Sequence, residues 1–194
     1  GCGEEDGSKG RLNLFITDAP IDGAEIKSAF IAINSIELKG THGWKTIKSF
    51  DRPLAIDLLR FQHGASMLIL EQYVDAGKYT ALRLVLNAQE PGSGLVKSPG
   101  CNLVTTSGTQ HTIFSTEEEQ SKAIEFPLQM TSNGIASYTL DFDLRKSIQL
   151  DEETENLVMK PSIRVINNDV AAKIVGTFSM EASPVGIVIY AYQQ

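Results

Sequence analysis

The chain is short of cysteine, of positive charge, of tryptophan and of long apolar runs, and each shortage closes off a class of protein. Two cysteines in 194 residues, Cys2 and Cys101, cannot form a disulfide framework. Seventeen Lys and Arg stand against 24 Asp and Glu, for a net charge of −7. That balance excludes nucleic acid as a partner, because phosphate contacts need clustered cations. It equally excludes electrostatic docking on anionic lipid. Apolar runs such as "AFIAI" and "GIVIYAY" fall far short of the roughly 20 residues that cross a bilayer as a helix. The three histidines, His42, His63 and His111, have no second ligand two or four residues away, so no zinc site is expected. G-x-S-x-G, the P-loop, the dinucleotide fingerprint and H-E-x-x-H are all missing. No metal, no cofactor and no enzymatic activity are expected.

What is present is enough apolar sequence for one core. Hydrophobic residues make up 42% and charged residues 21%, close to the globular norm. The apolar residues recur with period two. "RLNLFIT" puts Leu12, Leu14 and Ile16 on one face, and "ALRLVLN" does the same with Leu82, Leu84 and Leu86. "SYTLDFDL" turns Tyr138, Leu140, Phe142 and Leu144 inward. "VMKPSIRVI" repeats the pattern with Met159, Ile163 and Val165. "AEIKSAFIAINSIELKG" reads as a long strand, and "GTHG" turns it into "GWKTIKSF" as a hairpin. Turn formers such as "DAPIDG", "QEPGSG" and "TSNG" separate these segments. The expected fold is all-β: an antiparallel β-sandwich, Ig-like or transthyretin-like, with at most one or two short helical turns around Leu58–Gln62 or Ser66–Leu70. Residues 1–10 read as a flexible tether and 11–168 as the sandwich domain. Residues 169–194 read as a closing hairpin or as the start of a second, transthyretin-like β domain cut off at Gln194.

Few residues offer chemistry. Asp141 and Asp143 stand at i and i+2, where one strand face would hold both carboxylates for an ion or for arginines such as Arg145 and Arg164. The plainer reading is a salt-bridged outer face. Asp18 in "TDAP" is a third acid, read first as a turn cap. Trp44 could stack on a sugar ring, as could Tyr73, Tyr138 or Tyr190, although half-buried packing is the commoner use of a lone Trp. Cys101 reads as a small semi-buried thiol. "STEEEQ" and "LDEETEN" read as exposed loops.

The opening "GCGEEDGSKG" resembles the mature start of a bacterial lipoprotein, with Cys2 as the lipidated residue. The acids Glu4, Glu5 and Asp6 are similar to the signal that sends Bacteroidota lipoproteins to the cell surface. The blocks "GRLNLFITDAP", "GWKTI", "AIDLL", "VDAGKYTALRLVLN", "YTLDFDLRKSI" and "KPSIRVI" resemble, in order, the domain-of-unknown-function family 4382 of bacterial surface lipoproteins. "TDAP" and "LDFD" are the most specific of them. "KIVGTFSM" is similar to the start of the transthyretin-like module that often follows in such proteins. The resemblance implies a β-rich outer-membrane lipoprotein, exposed at the cell surface and touching the membrane only through a lipid anchor on Cys2. It supplies no catalytic residues. The function expected is a non-enzymatic binding or adhesion module with an extracellular protein or glycan as partner. The alternatives are a glycan-binding component of nutrient uptake and a fimbria-like subunit trimmed at Arg11. Ligand candidates are Trp44, Asp18, Asp141 and Asp143.

Overall fold

A computed structural model describes residues 8–19, 23 and 25–170. Cys2, most of the tether read at 1–10, Tyr190 and the two strands read after residue 170 lie outside the described residues. Within them the protein is an all-β sandwich of two sheets, as the alternation predicts.

The smaller sheet has four strands. Its second position is held by β1 (Lys9–Thr17), which pairs antiparallel with β4 (Met67–Asp75) and parallel with β9 (Ile135–Phe142). The edge strand β12 (Ile163–Asn167) pairs with β9. Leu12, Leu14 and Ile16 are fully buried on the inner face of β1, beside Leu70, Val74, Leu140 and Phe142.

The larger sheet is organised on β2 (Ile26–Gly40), a strand of 15 residues. It forms the expected hairpin with β3 (Gly43–Asp57), turning through Gly43 at φ +100°, a value that favours glycine. On its other side β2 pairs with β5 (Gly77–Leu86) and, nearer its start, with β6 (Asn102–Thr105). The edge strand β8 (Ile124–Met130) lies outside β5. β6 leads through β7 (Gln110–Phe114) to β11 (Asn156–Met159) and β10 (Ile148–Asp151). Leu82, Leu84 and Leu86 face inward, as their spacing requires. Phe126 of β8 meets Tyr138 of β9 edge-on at 4.6 Å between ring centres, joining the two sheets through the core.

Several details differ from the reading of the sequence. Two pairings, β1 with β9 and β11 with β7, are parallel, so both sheets are mixed. β1 begins at Lys9, inside the segment read as a tether. Helical turns appear at Leu58–Phe61 (3-10), α1 (Glu117–Gln120) and α2 (Leu144–Ser147). The acids of "STEEEQ" form α1 because Thr116 caps it and three glutamates occupy its positive end. Ser66–Leu70 is no helix; Met67 to Leu70 open β4. "VMKPSIRVI" is split: Met159 ends β11 in one sheet, and beyond Pro161 the chain enters β12 in the other. Proline cannot donate to a ladder, and here it lies at the crossing.

Candidate functional site

The acids singled out by the sequence converge at one end of the smaller sheet. Asp18, only 3% exposed, lies just past β1. Its Oδ1 accepts from the Leu144 N–H at 3.2 Å and its Oδ2 from Gln62 Nε2 at 3.0 Å. The neighbouring Thr17 hydroxyl lies within bonding distance of the carbonyls of both Phe61 and Ala65, which share its one proton. Asp18 therefore clamps the 3-10 turn and the first turn of α2 onto the end of β1, so that the blocks "TDAP" and "LDFD" meet in space. Asp143 lies beyond the end of β9 and caps α2 by accepting from the Lys146 N–H. Asp141 stays on the strand, where Arg164 donates to its Oδ2 at 2.9 Å. Asp141 and Asp143 thus do not share a strand face.

Burial, reinforced weakly by the charges of Asp143 and Asp141, raises the Asp18 pKa against the two hydrogen bonds that lower it. A carboxyl held above its unfolded pKa favours the fold while it is protonated. That contribution fades as pH rises from the unfolded value near 3.8 through the raised folded value. Asp18→Asn keeps an oxygen for Leu144, and Gln62 can turn its amide to match. Denaturant titrations should therefore show the variant gaining on the wild type between pH 4 and pH 7. An identical difference at both pH values would remove the burial argument.

Trp44 is half-buried on β3, and the Arg83 guanidinium lies 4.2 Å from its ring centre, held in turn by Glu37. One face of the indole is thus covered by a cation. Tyr138 is buried in the core. Burial pushes the Cys101 thiol up to about 11, which makes it inert. His42, His63 and His111 are exposed, and among the described residues no three His, Cys, Asp or Glu side chains gather to hold a metal ion.

The surface that concentrates exposed apolar side chains is the outer face of the four-stranded sheet. Strand register lays it out as a grid. Tyr73, Arg11 and Ile135 form one row, Glu71, Asn13 and Ser137 the next, and Leu68, Phe15, Thr139 and Ile166 the third. Tyr73 is 66% exposed, Ile135 61% and Leu68 44%. Asn13 Nδ2 donates to the Ser137 hydroxyl at 3.2 Å, while Arg11 and Glu71 approach only to 3.9 Å. An outer sheet face is ordinarily polar, and apolar side chains grouped there mark a contact surface. Tyr73 was legible as a ligand candidate, but the residues across from it, Arg11 and Ile135, come from segments more than 60 residues away, and no local pattern links them. The one local sign was Phe15, an aromatic at an outward position of β1.

Comparison with protein-family models matches residues 9–161 to the family described as "Domain of unknown function (DUF4382)". No curated protein and no solved structure matches the chain.

Proposed function

We propose that this chain, which belongs to the DUF4382 family, is a non-enzymatic binding and adhesion module. In this reading a lipid on Cys2 holds it at the outer surface of a Bacteroidota-type bacterial cell, and residues 3–8 act as its spacer. The outer face of the four-stranded sheet makes the contact. The observation that carries the reading is the grouping of exposed Tyr73, Ile135 and Leu68, with Phe15 and Ile166 beside them, on one outer sheet face. The position of Cys2, ahead of acids and small residues, supports the anchor.

A glycan is the second reading. Tyr73 offers an exposed ring beside Arg11 and Glu71, whereas the ring of Trp44 is already covered on one side by Arg83. The fimbria-like reading has less support. Trimming at Arg11 would have to cut β1 where it is hydrogen-bonded on both sides.

The test is display on a Gram-negative host behind a lipoprotein signal peptide. Labelled palmitate should enter the wild-type chain and not Cys2→Ser. Cells carrying the wild type should cluster or adhere to mucin-coated glass, and Tyr73→Lys should reduce that several-fold at equal surface abundance. Adhesion no greater than that of empty cells contradicts the reading.

A further inference from the structure

We infer that the outer face of the four-stranded sheet is a homotypic contact, whose partner is the same face on a second copy of this chain. The inference rests on the binding reading above and names its partner.

Three observations carry it. The first is composition. Of the eleven lysines one, Lys9, lies on these four strands, at the edge opposite Asp75, while Arg11 and Arg164 lie among the apolar side chains. Arginine and aromatic residues are enriched at protein contacts and lysine is depleted. Five apolar side chains, Tyr73, Ile135, Leu68, Phe15 and Ile166, are spread over two rows rather than gathered in a hollow. A flat protein surface fits that spread better than a single sugar ring.

The second is charge. Two copies of a chain at −7 repel one another. The face itself sums to zero, with Lys9, Arg11 and Arg164 against Glu71, Asp75 and Asp141. Arg11 and Glu71 are 3.9 Å apart and both partly exposed, so each retains capacity for an opposite charge on the partner.

The third is unmet hydrogen bonding. Among the described residues, Arg11 Nε, Asn13 Oδ1 and Asp141 Oδ1 are shielded polar atoms without a partner, and all three belong to side chains of this face. One is a donor and two are acceptors. Such atoms are costly to leave unpaired within a finished surface. Small rotations of these three side chains would present both kinds to a second copy.

The size of the face sets the strength. Four strands about 4.8 Å apart, each contributing about seven residues of 3.3 Å, span roughly 450 Å². With side-chain relief a pair buries about 1,000 Å², the lower limit for a specific contact. The contact is therefore weak in solution and gains from tethering, which raises the effective concentration of copies on one membrane or across two.

Sedimentation velocity of the 194-residue chain carrying Cys2→Ser, from about 1 µM to 1 mM, tests the inference. The expected result is a concentration-dependent monomer–dimer equilibrium, weakened at least tenfold by Ile135→Lys and by Tyr73→Lys. Leu150→Lys, at an exposed position on β10 in the other sheet, should leave it unchanged. Circular dichroism confirms that each variant folds. A monomer throughout the range, or a dimer indifferent to both face substitutions, overturns the homotypic partner. If the chain stays monomeric while displayed wild type, but not Tyr73→Lys, still adheres to mucin, the binding reading stands and the partner is a glycan. If neither dimer nor adhesion appears, both fall.

Discussion

Leu14→Asp is expected to leave the chain without a cooperative unfolding transition at neutral pH. Leu14 is fully buried on β1, a strand paired on both sides, with Leu70 on one neighbour and Tyr138 on the other. Losing its burial costs about 2 kcal/mol. An unpaired charge in the same place costs about 3–5 kcal/mol more. The sum is a large part of the 5–15 kcal/mol that holds an ordinary domain together. Lowering the pH should restore some structure, since the neutral acid is cheaper to bury than the carboxylate. Leu14→Ala, which leaves a void without a charge, should fold with a loss of about 2–5 kcal/mol. Chemical denaturation of the three proteins at pH 4 and pH 7 separates these terms. A Leu14→Asp protein as stable as the wild type would mean that the inner face has been assigned to the wrong side of β1.

Phe126→Ala should cost about 3–5 kcal/mol, with the transition staying two-state. Phe126 is fully buried on β8, and its edge-on contact with Tyr138 ties the larger sheet to the smaller. The loss has two parts, the aromatic burial itself and about 0.5–1.5 kcal/mol from the ring geometry. Phe126→Leu keeps most of the volume and should cost less than half as much. Equal losses for the two substitutions would show that the ring pair adds nothing beyond filling space. A transition that splits in two for Phe126→Ala would show that the sheets unfold separately, against the single core drawn here.

The inner faces were readable because they follow from a local rule. Leu12, Leu14 and Ile16, like Leu82, Leu84 and Leu86, alternate strictly, and only a half-buried strand uses that period. The β2–β3 hairpin was readable from Gly40 and Gly43 around a two-residue turn. What escaped depends on partners far away in the chain. Nothing near Leu12 says that β9, more than 120 residues later, runs parallel to it. Asp18 reads locally as the cap of its own turn, yet its two oxygens serve Leu144 and Gln62. Asp143 reads as the second acid of a pair on one strand face, but an Asp followed by "LRKS" caps a helix turn as readily as it continues a strand. The run "VMKPSIRVI" keeps its alternation through a proline that carries the chain from one sheet to the other, so period alone hid the break.

The outer face was the least readable part for the same reason. Its rows are assembled from β4, β1, β9 and β12, and in each strand the outward residues look like ordinary surface. Arg11, Asn13 and Thr17 are what a solvated strand would show, and only Phe15 stands out. The apolar character emerges when Tyr73 and Ile135 are placed on either side of Arg11. Leu95 and Val96 are also exposed, but they sit together in the loop between β5 and β6 and form no extended surface.

Hydroxyl-radical footprinting of the lipid-anchored protein at sparse and at dense display tests the central claim most directly. If the outer face is the contact surface, labelling of Phe15, Tyr73 and Ile135 should fall at least threefold on dense surfaces, while Leu95 and Leu150 remain as reactive as before. Equal labelling of all five side chains at both densities would contradict it.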